Sequence, residues 1–147
     1  MAEMDIAVKA GYWTFQLVNT FSAASFTLFT ERCHRSLVIN PDEMLKTFGF
    51  GALQYEFLLN QVRGWNTALL AISLYGYSKG PSKDFLGLAC LTSALTTFAH
   101  VMTGQHHSKD PMIRDYLKKD GINPYGPAVV TTLLTLITGW AFMKAKK

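Results

Sequence analysis

Four apolar runs of about 17–26 residues, bounded by charged patches, constrain this chain more than any single motif in it. At ~1.5 Å per residue, a helix of that length approaches the ~30 Å thickness of a bilayer's hydrocarbon core. A soluble helical bundle would instead carry charge at every turn along its outer faces. Charged residues make up 16% of the 147 residues and hydrophobic ones 49%, where an ordinary soluble domain has ~25% charged. The expectation is an all-α polytopic membrane protein with a buried-helix soluble protein as the competing class. The expected fold is a single helical domain over residues 1–147, with four transmembrane helices at about 12–30, 52–77, 85–103 and 127–143. Short amphipathic interfacial helices are expected at about 41–50 and 111–119.

Local signals place the ends of these elements. Residues 1–11 read as a short polar lead, and Tyr12 and Trp13 sit at the border of the first span as interfacial aromatics do. Gln16, Thr20, Ala23 and Thr27 share one face of that span, the small and hydroxylated surface that membrane helices use to pack on each other. Asn40-Pro41-Asp42-Glu43 combines an N-cap, a proline at the first helical position and a capping-box carboxylate. Met44, Leu45 and Phe48 then face away from Asp42, Glu43 and Lys46, and Gly49 and Gly51 permit a bend into the second span. Lys79-Gly80-Pro81-Ser82 stops that span. Ser82 or Asp84 opens the third, which is rich in Gly, Ala, Ser and Thr and is expected to close at Gly104. Asp110-Pro111 starts a helix with Met112, Ile113, Tyr116 and Leu117 on one side and Arg114, Asp115, Lys118 and Lys119 on the other. Lys144, Lys146 and Lys147 cap the fourth span.

Four spans put both termini on one side. That side, with the loop between spans two and three, carries Lys9, Lys79, Lys83, Lys144, Lys146 and Lys147; the other carries Arg32, Arg35, Lys46, Lys109, Arg114, Lys118 and Lys119. Lys/Arg bias therefore assigns no orientation. The net charge of +4 is spread along the chain, with no basic stripe interleaved with aromatics, which argues against a nucleic-acid partner. Cys33 and Cys90 have neither metal nor redox spacing. The start of the chain, with Glu3 and Asp5, is acidic where a secretory signal is basic, and it lacks the arginine-rich look of a cleavable organelle presequence.

The polar residues inside the apolar runs are the candidates for function. Glu56, Asn60 and Arg63 follow at spacings of four and three, so they share one helix face among Phe57, Leu58, Leu59, Val62 and Trp65. An ionised group in hydrocarbon costs several kcal/mol, roughly 2.5–3.5 on insertion scales. These side chains are thus expected to face the bundle, with Gln16, Asn19 and Thr20 of the first span as partners. The stripe reads either as a buttress pinning helix register or as a pocket for a lipid head group, a quinone or a small polar ligand. No nucleophile or cofactor motif accompanies it. His106-His107 with Asp110 lacks a third spaced ligand. Glu31-x-x-His34 has the spacing of di-iron bundles, but those need two such motifs plus two more carboxylates. Neither a metal nor a cofactor is expected. His100 in its Thr-rich helix reads as a partner for a neighbouring helix, and Thr131, Thr135 and Thr138 as a packing stripe with back-bonding hydroxyls.

The Pro-started amphipathic entry (Asn40-Pro41-Asp42-Glu43, then Phe48-Gly49), the Arg63-Gly64 pair within the second span, and a third span ending at His100 resemble DoxX-like small membrane proteins over about residues 12–142. The resemblance implies a four-helix membrane bundle and assigns no activity. Glu31-Arg32, Arg35, Asn40 and Glu43 are similar to the second-helix pattern of the glutathione and eicosanoid family of four-helix membrane enzymes. They depart from it in that Arg35 to Asn40 is one residue too long and Pro41 starts a helix where that family's continues. The function expected is a non-catalytic accessory or structural subunit of a larger membrane complex, in an energy-transducing organelle membrane such as the mitochondrial inner membrane. Its partners would be the lipid bilayer and other membrane subunits. The rival is a small membrane enzyme or a lipid- or quinone-binding protein with its pocket at Glu56, Asn60 and Arg63.

Overall fold

A computed structural model of the chain describes residues 5–37, 46, 49, 51–109 and 125–145. Among these the regular elements are all helical: α1 Ile6–Leu28, α2 Thr30–Leu37, α3 Ala52–Lys79, α4 Lys83–Lys109 and α5 Gly126–Lys144. The interfacial helices expected at 41–50 and 111–119 lie outside the described residues, apart from Lys46 and Gly49.

The stop and start between α3 and α4 follow the local signals. Gly80, at φ +67°, caps α3 in a backbone conformation that L side chains rarely adopt. Ser82 Oγ then accepts from the Phe85 N–H at 3.3 Å and opens α4. Pro127 lies in the first turn of α5, where its missing N–H is harmless. Two boundaries differ from expectation. The polar lead is helical from Ile6, because the Asp5 carboxylate accepts from the Ala7 N–H at 2.8 Å and Ala7 and Val8 are buried. Gly104 does not end α4, which continues to Lys109. A single glycine in a helix interior costs only ~1 kcal/mol, and the following sequence holds no proline until Pro111.

Between α1 and α2 the helix breaks without a proline. Phe29, at φ −127° and ψ 39°, leaves helical geometry. The Thr30 hydroxyl donates back to the Phe26 carbonyl, and the Cys33 N–H reaches the Phe29 carbonyl at 2.8 Å, so a kink joins two helical segments.

The four long helices are arranged as an open row in the order α3, α1, α5, α4. Helix α1 packs on α3 through one face and on α5 through another, and α4 packs on α5. Consecutive helices α3 and α4 touch little beyond their turn, where the Phe85 ring lies against Gly76. The row is held where small residues let backbones meet: a Cβ at Gly11 would overlap the Ala141 Cβ of α5, and one at Gly76 would overlap the Gln16 amide and the Phe85 ring. At the same end Val8, Tyr12, Phe15, Phe85, Leu86, Ala89, Leu134, Ala141 and Ala145 form the apolar core. Phe85 packs edge-on against Tyr12 at 5.6 Å and Phe15 at 5.7 Å between centroids.

Two helices, over Lys83–Thr103 and Gly126–Lys144, are long and apolar enough to cross a membrane. By that criterion α1 and α3 are not, because polar residues interrupt both.

Candidate functional site

The polar side chains of α1 and α3 separate into two clusters with different environments. The first is buried. Tyr12, Gln16 and Asn19 follow at spacings of four and three, so they line one face of α1; Leu69, Ser73 and Gly76 repeat that spacing on α3. The helices run antiparallel, and the two sets meet in order. Tyr12 OH donates to the Gly76 carbonyl at 3.1 Å. Gln16 Nε2 donates to the Ser73 carbonyl at 3.0 Å and to Tyr12 OH at 3.4 Å. Asn19 Nδ2 donates to the Leu69 carbonyl at 2.8 Å and to Ser73 Oγ at 2.7 Å. Gln16 and Ser73 are wholly inaccessible, and Tyr12 is 4% exposed.

This ladder is a clamp of amide and phenol donors onto backbone carbonyls. Its bonds join side chains of one helix to the backbone and side chains of the other, so it fixes the register of the two helices. Three buried oxygens of α1, Gln16 Oε1, Thr20 Oγ1 and Thr27 Oγ1, have no hydrogen-bond partner among the described residues. Tyr12 is therefore an interior residue, not the interfacial aromatic expected; its neighbour Trp13 is 52% exposed. The repeated four-three spacing on both helices was a signal for this pairing. Ser73 and Gly76 were missed because one reads as a packing residue and the other has no side chain.

The second cluster lies at the other end of the α1–α3 pair, with Asn60 and Arg63 exposed and Thr30 buried. Arg63 Nε donates to Thr30 Oγ1 at 3.3 Å, and Arg63 Nη1 donates to Asn60 Oδ1 at 3.2 Å. Glu56 is exposed and, among the described residues, pairs with neither. Nearby on the same pair of helices, Arg35 forms an ion pair with Glu31 at 2.9 Å and lies 6.0 Å from the Tyr55 ring centroid. The expected union of Gln16, Asn19, Glu56, Asn60 and Arg63 in one buried network is thus replaced by two separate clusters. The ladder sets an axial offset that puts Arg63 level with the break after Phe29. The first eleven residues of α3 run on past that level beside α2. Arg63 is itself exposed, so its guanidinium keeps solvent access beside these two bonds. Arg63→Met is accordingly expected to weaken the fold by only about 1 kcal/mol or less, the worth of ordinary net hydrogen bonds. Denaturant unfolding in detergent, followed by circular dichroism, measures this, and a loss of several kcal/mol would return Arg63 to the core.

The opposite end of the row collects the lysines. Lys9, Lys79, Lys83 and Lys144 stand at the adjoining ends of α1, α3, α4 and α5. Lys79 Nζ lies 5.7 Å from the Tyr75 ring and Lys83 Nζ 5.5 Å from the Phe142 ring. Trp13 and Tyr77 neighbour each other at 6.4 Å just inside this belt. An open apolar groove lined by Leu17, Phe21, Ala24, Leu28 and Phe29 runs along the outer face of α1 and is bounded at one end by Tyr77.

The remaining candidates make local bonds. Thr131, Thr135 and Thr138 donate to the carbonyls of Pro127, Thr131 and Leu134 at 3.0, 2.8 and 2.7 Å, and Thr97 meets Thr135 across the α4–α5 interface at 3.3 Å. His100 is half-buried on α4. Among the described residues no three His, Cys, Asp or Glu side chains converge on a point. The side chains of His34, His106 and His107, and all of Asp110, lie outside the described set. No protein-family model, curated protein or solved structure matches this chain.

Proposed function

We propose that this chain is a membrane-embedded, non-catalytic structural subunit of a larger membrane assembly, and that it crosses the bilayer four times. The observation that carries the membrane part is that amides and hydroxyls line the α1–α3 interface while large apolar side chains stand on its outside. Their buried interface holds Gln16, Asn19 and Ser73, while Leu17, Phe21, Leu28, Phe57 and Leu74 face outward. A soluble helix has the reverse arrangement. Hydropathy averaged along α1 or α3 counts those amides and hydroxyls as if they met lipid, although they are hydrogen-bonded across the interface.

Distances between the charged ends support four crossings. Lys9 to Glu31 is ~33 Å and Arg63 to Lys79 ~24 Å along the helices, and α5 is ~28 Å long, all near the ~30 Å of hydrocarbon to be spanned. Lysines with Trp13 and Tyr77 at one level form the mixed belt usual at a membrane–water boundary. A four-helix membrane unit is also what the resemblance to DoxX-like proteins implies. The subunit part rests on the open row. Among the described residues α3 has one long neighbour, and Leu53, Phe57, Trp65 and Leu74 stand exposed, open to lipid or to helices of another chain.

Two measurements test this reading. Cysteines introduced at Lys9 and Lys144 are expected to react with an impermeant reagent from the same side of sealed vesicles; reaction from opposite sides excludes four crossings. Purification in mild detergent is expected to yield the chain in stoichiometric company with other membrane subunits. A lone or homo-oligomeric species would favour the rival, a free-standing membrane enzyme or lipid- or quinone-binding protein.

A further inference from the structure

We infer that Arg63, held in place by Thr30 and Asn60, is a binding site for the phosphate group of an anionic phospholipid at this boundary of the bilayer; the inference rests on the membrane reading above. A guanidinium has five N–H donors and no acceptor. One, on Nε, goes to Thr30 Oγ1, and one of the two on Nη1 goes to Asn60 Oδ1. Three donors on the Nη1 and Nη2 side remain. That edge of the guanidinium is the fork that matches two oxygens of a phosphate. Among the described residues no carboxylate lies within ion-pair distance of Arg63; the ion pair they contain is Arg35 with Glu31. Glu56, the nearest acid along the same helix face, is two turns away.

The two orienting bonds come from different helices, which is what makes this a built site and not a surface arginine. Thr30 is 2% exposed, and its hydroxyl hydrogen points to the Phe26 carbonyl, so its oxygen is left as an acceptor aimed at Nε. Asn60 presents its carbonyl oxygen to Nη1, which leaves its amide N–H₂ as a further donor beside the fork. A side chain fixed before binding loses less rotamer freedom on binding, so more of the charged hydrogen-bond energy appears as affinity.

The same chemistry would serve a free phosphate ion. The surroundings favour a lipid. Leu28 and Phe29, which precede Thr30, are 71% and 57% exposed. A phosphate bound here would have the exposed apolar residues that precede Thr30 close by in the chain, a surface suited to acyl chains. Thr30 and Asn60 are positioning residues in this scheme, and Arg63 makes the contact.

The test uses the full chain in detergent micelles and in nanodiscs, with phosphatidylglycerol, phosphatidylcholine and inorganic phosphate as probes, read by native mass spectrometry. Phosphatidylglycerol is expected to be retained in preference to phosphatidylcholine. Arg63→Gln is expected to weaken its binding about tenfold or more, the scale of one or two charged hydrogen bonds. Arg63→Lys keeps the charge but not the fork and should give an intermediate loss. Thr30→Val removes the orienting acceptor at constant shape and charge, and should also weaken binding; helical content by circular dichroism is followed in each variant. Should Arg63→Gln lose its helices, Arg63→Lys and Thr30→Val carry the test. Equal retention of phosphatidylglycerol by the parent and the folded Arg63 variants overturns the site. Displacement of the lipid by millimolar inorganic phosphate, dependent on Arg63, overturns the lipid assignment in favour of a soluble phosphate. Failure of the parent chain to enter nanodiscs at all would instead refute the membrane reading on which the site rests.

Discussion

Leucine at Gly11 is expected to abolish most of the folded yield of this protein. Gly11 lies on α1 where that helix meets α5, and even a single added carbon would overlap the Ala141 Cβ, with the Ile137 carbonyl oxygen 3.2 Å away. The obstacle is a helix backbone and a side chain with no rotamer to change, so relief requires the helices to move apart. Separation would open the core around Val8, Phe15, Leu134 and Ala141, which is built from three helices and not from one pair. Overpacking a dense core typically costs ~1–3 kcal/mol, and more where nothing can yield. Here the expected loss is at the upper end of that range or beyond. Gly11→Ala should give a smaller loss in the same direction, and Gly139→Ala, where the nearest atom is the Cys90 sulfur at 3.3 Å, the least. Fluorescence-detected gel filtration in detergent, with unfolding midpoints for the variants that survive, ranks the three. A Gly11→Leu protein that elutes and unfolds like the parent would mean that α1 and α5 do not approach as described.

The second large effect is expected at Asn19. Its amide donates to the Leu69 carbonyl and to Ser73 Oγ, and it is nearly inaccessible. Asn19→Leu removes both bonds but adds no charge. Interhelical hydrogen bonds in membrane proteins average ~0.6 kcal/mol and reach ~1.7, so about 1–3 kcal/mol is expected. Asn19→Asp is nearly isosteric and should be worse. It turns a donor into an acceptor facing the Leu69 carbonyl, and it places a carboxylate where the burial of charge costs roughly a further 2.5–3.5 kcal/mol. The order parent, leucine, aspartate in an equilibrium unfolding series distinguishes a polar clamp from a cavity that tolerates any residue of that size. Aspartate equal to leucine would show that water reaches this position and that the ladder is not dry.

Much of the fold depends on short-range chemistry and was legible for that reason. Helix class, the stop at Gly80, the start near Ser82, the proline at the head of α5 and the back-bonding of Thr131, Thr135 and Thr138 each involve residues within about one turn of each other. The apolar character of α4 and α5 is likewise a property of the run itself. The start of α1 was legible in principle, since Asp5 caps Ala7 two residues on, but the low hydropathy of the first eleven residues argued for a lead outside the helix.

What lay beyond the sequence is which helix faces which, and at what height. Gln16, Asn19, Asn60 and Arg63 were all recognisable as polar residues in apolar surroundings that need partners. Periodicity puts residues on a common face of one helix; it says nothing of the axial offset between two helices. That offset is decided by the Tyr12–Gly76, Gln16–Ser73 and Asn19–Leu69 pairs together, and it puts Arg63 beside Thr30 and leaves Glu56 outside both clusters. The row order is decided the same way. Gly11 and Gly76 sit in different helix–helix interfaces, and only packing reveals that one admits Ala141 and the other Gln16 and Phe85. The composition of each helix set what had to be buried or satisfied; the register between helices chose the partner, because close approach and hydrogen-bond geometry are properties of pairs of surfaces and not of single segments.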